Sequence, residues 1–284
     1  MRQVTRPDIP IKEAYEACRA SVNSEQYRQR LDDGEPEIVT ATADYMLRAS
    51  AACLHTFQPL ESTDDSTVVL RELTKQDLVK LYDYHMVRRQ PGRSLYERLS
   101  ILSQKKCPFC GGIGQTFTLD HYLPKSEYPQ FSVFPANLVP CCRDCNSEKG
   151  AAVATSAGSQ VLHPYFDANR FYTDVWVVAV IQLGADPMAE YAVQAPNTWS
   201  DEDKERVKEH FNEYNLSQRY AVEAASELAT IVDQWDDIYR PLTAGQRRQH
   251  FALLSRNGHA NDWKQALYRA LSQNPLVCRW GLCR

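Results

Sequence analysis

Between residues 107 and 150 the sequence CPFCGGIGQTFTLDHYLPKSEYPQFSVFPANLVPCCRDCNSEKG gathers most of the side chains that could do chemistry. Cys107 and Cys110 form one Cys-x-x-Cys pair, and Cys142 and Cys145 form a second after 31 intervening residues. Two such pairs suit two knuckles that close on a single tetrahedral zinc. Cys141 competes for the second knuckle, but only Cys142 makes a Cys-x-x-Cys with Cys145. Four thiolates leave no open coordination position, so this zinc is expected to be structural and the chemistry must come from the residues it positions. Those residues are Asp120, His121, Asn137 and Asn146. Asp120 and His121 end an alternating run that begins at Thr116, and an extended backbone would send their side chains to opposite faces. One can then bind a metal while the other faces a substrate. Asn146 follows the last cysteine, where the knuckle should turn into a short helix ending near Lys149 and Gly150. Its amide oxygen suits a hard cation, so Asp120 and Asn146 could share one Mg²⁺.

In order and spacing, the first Cys-x-x-Cys, then Leu119-Asp120-His121-Tyr122-Leu123-Pro124-Lys125-Ser126, then Asn137-Leu138-Val139-Pro140, then Cys-x-x-Cys-Asn and Lys149 resemble the HNH, or ββα-metal, endonucleases. The resemblance covers about 45 of the 284 residues. It implies His121 as general base, Asp120 and Asn146 as ligands of a catalytic divalent ion, and Asn137 as the residue that orients the His121 loop. Asn146 stands where some members carry His, and this H-N-N variant favours Mg²⁺ or Mn²⁺ over a catalytic Zn²⁺. His121 would take a proton from a water attacking phosphorus, a task within reach of an imidazole of pKa near about 6.5. The ion would stabilise the leaving 3′ oxygen, giving DNA products with 5′-phosphate and 3′-hydroxyl ends. One such site cuts one strand, so a double-strand break requires two events or a homo-oligomer. The wording LDHYLPKSEYPQFSV and NLVPCCRDCN looks most like the HNH subunits encoded beside an ATPase in bacterial anti-phage systems such as Septu and certain retrons. That likeness implies an ATPase protein partner.

Each residue also has a plainer reading. Asn137 fits an ordinary turn. Lys125 and Lys149 flank the site as candidate phosphate contacts, although surface lysines are usually only solvated. Arg88 and Arg89 belong to a stretch, residues 71 to 106, with nine Lys or Arg against four acids. That stretch is either a DNA-facing surface or the solvated side of helices. His163 either supports the site from behind or caps the strand that follows. Two rival functions stay open: a zinc-stapled nucleic-acid-binding or adaptor module without catalysis, and an HNH nuclease acting on RNA. A pure zinc ribbon has no need of Asp120, His121 and Asn146 together, which favours catalysis.

Composition sets the frame for that site. At 284 residues and 43% hydrophobic content the chain can bury a substantial core, which excludes a disordered protein. The net charge of -4 is unusual for a nucleic-acid enzyme, so local basic residues or a partner must neutralise phosphates. The longest apolar run, 175 to 181, is too short to span a bilayer and the N-terminus has no signal-like core, which predicts a cytoplasmic protein without membrane contact. The nine cysteines are expected to be zinc thiolates plus free thiols at Cys18, Cys53, Cys141, Cys278 and Cys283. No Walker-type sequence occurs, so any nucleotide-driven step belongs to another chain.

The elements that must position the site read as α+β: a mostly helical chain around a small zinc-stapled ββα-metal module. Three regions are expected, a helical one over 1–104, the nuclease module over 105–167, and a β-hairpin with further helices over 168–284. Helices are expected at 11–31 and 36–58, parted by Gly34-Glu35-Pro36, then one capped by Thr74 with Asp77 at its third position. A short helix with Leu95, Leu99 and Leu102 leads into the first knuckle. Beyond the module a strand over 171–183 and a return over 191–194 are expected. Helices follow Ser200, Leu216 and a Thr243–Gln246 capping box, with Asn261 capping the last. Trp235, Trp263 and Trp280 read as core or partner-facing residues.

Overall fold

The computed structural model describes residues 1–282, so the thiol expected at Cys283 lies outside the described residues. The chain divides into two compact units, one of residues 3–108 and 114–167 and one of residues 1–2, 109–113 and 168–284.

In the first unit α1 (Ile11–Arg19) precedes α2 (Glu25–Ser50), which Ser24 caps by accepting from the Tyr27 amide. Contrary to the expected break, α2 runs straight through Gly34-Glu35-Pro36. Pro36 forfeits one backbone hydrogen bond, but the helix keeps a continuous buried stripe through Leu31, Gly34, Ile38, Thr42 and Tyr45. A Cβ at Gly34 would come within 2.4 Å of Leu73, so this glycine is there for close packing rather than for a turn. The helix stops at Ser50, short of the expected residue 58, and Ala52 turns the chain with φ 54°.

A two-stranded ribbon, β1 (Val68–Leu70) with β2 (Leu73–Thr74), feeds α3 (Lys75–Lys80) through the expected Thr74–Asp77 capping box. α3 then widens into a π-helical turn over Leu81–Met86, which turns Leu81, Tyr82, His85 and Met86 into the interior. After α4 (Gly92–Ser100) the chain reaches the knuckle. There β3 (Thr118–His121) pairs antiparallel with β4 (Leu138–Cys141), with Thr118 opposite Cys141 and His121 opposite Leu138. α5 (Arg143–Lys149) follows directly. Leu119 and Leu138 of the strands join Tyr15, Leu31, Leu81, Leu95 and Leu99 in one apolar core. This fixes the strands against the helical layer.

In the second unit α6 (Arg170–Thr173) replaces the start of the expected strand. The Trp176 indole N–H donates to the Phe171 carbonyl at 2.8 Å, which folds this segment back on itself. The hairpin is β5 (Val177–Gln182) with β6 (Met188–Val193), in register from Val177–Val193 to Gln182–Met188. Then come α7 (Asp201–Glu213), α8 (Leu216–Asp233), a π-helical turn at Trp235–Tyr239, α9 (Ala244–Leu254), α10 (Trp263–Gln273) and α11 (Pro275–Trp280). Asn261 does not cap α10; Asp262 does. The Asn261 side chain is fully buried instead, accepting from the Trp176 and Val177 amides and donating to the Asp174 carbonyl. No helix among the described residues is long and apolar enough to cross a membrane.

Candidate metal centre and active site

The first knuckle is closed by a hydrogen bond from the Cys107 amide to the Gly114 carbonyl. Gly111 and Gly112 take φ of 73° and 102° there, conformations that a side chain resists. At the second knuckle Cys142 caps α5, its sulfur accepting from the Cys145 amide at 3.5 Å. The sulfurs of Cys107, Cys110, Cys142 and Cys145 are buried and all lie within 4.8 Å of one another. A tetrahedral zinc with Zn–S near 2.3 Å sets sulfurs about 3.8 Å apart, so the cluster fits a four-thiolate zinc with little contraction. Cys141 stands beside it as a fifth buried sulfur, and hydrogen bonding with Cys107 and Cys142 pushes its thiol pKa well up.

β3 alternates as the sequence suggested, with Asp120 and His121 both nearly buried, 6% and 7% exposed. The His121 Nε2 lies 2.8 Å from the Ser132 carbonyl. A carbonyl only accepts, so Nε2 carries the proton and Nδ1 keeps the lone pair. Burial pushes the His121 pKa down to about 3, which keeps the ring neutral at physiological pH. The Tyr82 ring meets it edge-on, centroids 4.4 Å apart, while the Tyr82 hydroxyl donates to the Leu119 carbonyl at 3.2 Å. The π-helical turn therefore holds the imidazole from the side.

Asn137 is fully buried and clamps the loop after β3. Its Oδ1 accepts from the Leu123 amide at 2.8 Å, and its Nδ2 donates to the Leu123 and Phe131 carbonyls at 3.0 and 3.3 Å. The Tyr45 hydroxyl donates to the same Oδ1 at 3.1 Å and lies 3.2 Å from the His163 Nε2. His163 Nδ1 already accepts from the Tyr165 amide, so its Nε2 is the donor and the chain runs His163 to Tyr45 to Asn137. The Tyr122 ring stacks on His163 with centroids 4.0 Å apart.

On the other face of β3, Asp120 Oδ2 lies 3.0 Å from Lys149 Nζ on α5. That ammonium also donates to the His121 carbonyl, 2.5 Å away, so it is shared between the carboxylate and the backbone. Burial raises the Asp120 pKa and Lys149 opposes the rise. Asn146, half-buried, sits one turn before Lys149 on the same helix. The buried Asp120 carboxylate and the Asn146 amide offer oxygen donors of the kind a hard cation takes, and a cation there would share Asp120 with Lys149.

Lys149 is thus no surface lysine: it is 5% exposed and serves as the internal counter-ion of Asp120. Lys125 pairs with Asp83 and lies over the Tyr82 ring. Arg89 lies over the Tyr84 ring and donates to its hydroxyl, which leaves Arg88 alone of the four proposed nucleic-acid contacts exposed and without a side-chain partner among the described residues. Tyr45, Tyr82 and Ser132 support the site although sequence reasoning passed over them. Tyr45 and Tyr82 sit in ordinary-looking helical stretches, and Ser132 contributes only its backbone.

No protein-family model matches the chain, and no solved structure does. Over 61 residues, 19% of this chain and 24% of the relative, it is 36% identical to Septu protein PtuB of Bacillus thuringiensis. Over 289 residues, 96% of this chain and 98% of the relative, it is 32% identical to protein ea31 of Escherichia phage lambda. A likeness that runs end to end in both proteins shows common descent, and the chain belongs to the family of phage lambda protein ea31.

Proposed function

We propose that the chain is an HNH endonuclease that hydrolyses phosphodiester bonds in DNA, built as a zinc-stapled ββα-metal module within helical flanks. One observation carries the reading: His121, between the two cysteine knuckles, is held through Nε2 by the Ser132 carbonyl, which leaves a neutral ring with its lone pair on Nδ1. The order of Asp120, His121, Asn137 and Asn146 around the four-cysteine cluster supports a catalytic rather than a merely structural histidine, since His210 shows that a fixed, neutral, buried ring alone does not. In the reaction His121 Nδ1 accepts the proton of the attacking water. Asn137 keeps the loop, and with it the Ser132 carbonyl, in place. Asp120 and Asn146 would hold Mg²⁺ or Mn²⁺, which supplies charge stabilisation to the leaving 3′ oxygen. The products would be 5′-phosphate and 3′-hydroxyl ends.

The similarity to Septu protein PtuB supports a defence role, and the likeness to HNH subunits encoded beside an ATPase extends it to an anti-phage complex with an ATPase partner. The engagement of Asp120 by Lys149 favours a second reading, a zinc-stapled binding module without catalysis. The two separate in one assay. Zinc-loaded protein and its His121→Ala variant are incubated with supercoiled plasmid and with RNA, under Mg²⁺, Mn²⁺ or EDTA. Cleavage of DNA by the unaltered protein only, abolished by EDTA, is the expected result. Equal cleavage by both proteins, or none by either even with a co-encoded ATPase added, would overturn the nuclease reading.

A further inference from the structure

The residues first expected to meet the substrate are mostly engaged elsewhere, which leaves open where a strand is held. Phe117 is the residue before β3, and its amide donates at 3.0 Å to the carbonyl of Cys141, the residue already opposite Thr118, so the regular ladder ends there in a bulge. It lies four residues before His121, about 13 Å along the chain, and its ring is turned toward α5. Leu119 between them is buried, whereas Phe117 is 61% exposed. The Arg143 guanidinium, at the start of α5, lies over the Phe117 ring at 5.3 Å. Lys105 and Lys106 flank the same edge: the Thr116 amide donates to the Lys105 carbonyl at 3.0 Å, and Lys106 bridges Gln115. Arg143, Lys105 and Lys106 are exposed and make no ion pair among the described residues. Asp144, the next residue on α5, is turned about 100° around the helix from Arg143.

We propose that Phe117, Arg143, Lys105 and Lys106 form the surface that holds the DNA strand to one side of the scissile phosphate. This rests on the nuclease reading and gives it a substrate contact. The chemistry fits a nucleic-acid strand on three grounds. An exposed aromatic ring offers a stacking face to a base or sugar, three cations without acidic partners neutralise backbone phosphates, and the backbone under them is fixed by cross-strand hydrogen bonds. At about 3.4 Å per stacked nucleotide, the 13 Å offset places Phe117 about four nucleotides from the cut. The local charge of this edge also answers how a chain of net charge -4 can meet a polyanion.

The test measures binding of labelled DNA by the full zinc-loaded chain with Ca²⁺ in place of Mg²⁺, over a range of salt, alongside plasmid cleavage in Mg²⁺. Phe117→Ala is expected to weaken binding by about ten-fold, the scale of one lost stacking contact. Lys105→Ser with Lys106→Ser should lower the slope of log affinity against log salt by about two, and Arg143→Gln by about one. Zinc content and thermal stability of these surface variants should match the parent. If the parent binds and cleaves DNA while all variants bind with parental affinity and salt slope, the surface is refuted and the nuclease reading stands. If the zinc-loaded parent neither binds nor cleaves DNA, both fall. Preferential binding and cleavage of RNA would overturn the assignment of DNA to this edge.

Discussion

Asn137→Ala is the substitution whose consequences the structure fixes most tightly. The side chain makes four hydrogen bonds in a site with no exposure, two to Leu123, one to Phe131 and one from Tyr45. Alanine leaves the Leu123 amide and the Leu123 and Phe131 carbonyls without that partner. At about 1–3 kcal/mol for each buried group left unsatisfied, and with water reaching part of the gap, the loss should be about 3–6 kcal/mol. For a unit of about 160 residues that corresponds to a fall in melting temperature of roughly 6–24 °C. Asn137→Asp buries a carboxylate whose second oxygen faces the Leu123 and Phe131 carbonyls, so it should cost at least as much as alanine. Tyr45→Phe removes a single bond and should cost about 1 kcal/mol.

All five tryptophans lie in residues 168–284, so their fluorescence reports the other unit and serves as an internal control. The site itself is read by amide hydrogen exchange at Leu123, whose N–H donates to the Asn137 Oδ1, with Tyr122, whose N–H donates to the Asn137 backbone carbonyl, as a neighbouring reference. Protection at Leu123 should collapse in Asn137→Ala, while Tyr122 keeps its backbone acceptor and loses less, and tryptophan unfolding stays in place. Cleavage should drop by about a hundred-fold, because a displaced loop misaligns His121. If Asn137→Ala keeps the parental protection at Leu123 and melts with the parent, the clamp argument is wrong.

Lys149→Met strands the buried Asp120 carboxylate and should destabilise the protein by about 3–5 kcal/mol; Mg²⁺ or Mn²⁺ should restore part of the melting temperature, and no metal-dependent recovery would count against Asp120 as a ligand. Cys142→Ser should lose its zinc by elemental analysis while Cys141→Ser retains it, since only the former removes a member of the four-sulfur cluster. His210 is fully buried with Nε2 on the Phe109 carbonyl and Nδ1 without a hydrogen-bond partner, and burial lowers its pKa to about 3. Its folded pKa lies below the unfolded value near about 6.5, so its stabilising contribution is complete above that value and fades as pH falls toward about 3, about 2 kcal/mol of it between about pH 7 and pH 5. Urea titrations at both pH values should show that loss, with His210→Gln showing a flatter dependence.

Much of the centre was legible because its grammar is local. Cys-x-x-Cys spacing, Asp120-His121 on an alternating run, and the Thr74 and Thr243 capping boxes all depend on neighbours a few residues apart. What escaped depends on partners far along the chain. Tyr45 reaches Asn137 across 92 positions, and Tyr82 reaches the Leu119 carbonyl across 37. Nothing near either tyrosine marks it. The expected helix break at Gly34-Glu35-Pro36 failed for a related reason: the local preference against proline is real, but Leu73 seated on Gly34 and a continuous buried stripe outweigh it. Lys149 was expected as a phosphate contact, with a solvated lysine as the plainer reading, and only the approach of α5 to β3 shows that its charge is answered by Asp120.

That pairing bears on how a dry site can serve a highly charged reaction. Asp120 and Lys149 cancel, and His121 is neutral, so the buried group of three carries no net charge and is tolerable in a low-dielectric interior. On the proposed reading, a divalent cation on Asp120 raises the local charge to about +2 if Lys149 stays within reach. A phosphodiester under attack by a deprotonated water carries a charge of about −2, so the occupied site and the transition state would match. A simple displacement of Lys149 by the ion would leave only +1. The structure therefore favours a lysine that is shared rather than expelled, since its ammonium is anchored on the His121 carbonyl and not on the carboxylate alone. Lys149→Arg keeps the charge but cannot reproduce a single-point contact in so confined a place. It should retain most of the stability lost in Lys149→Met while cleaving more slowly than the parent. Full activity in Lys149→Met with metal present would show that the extra positive charge is not needed.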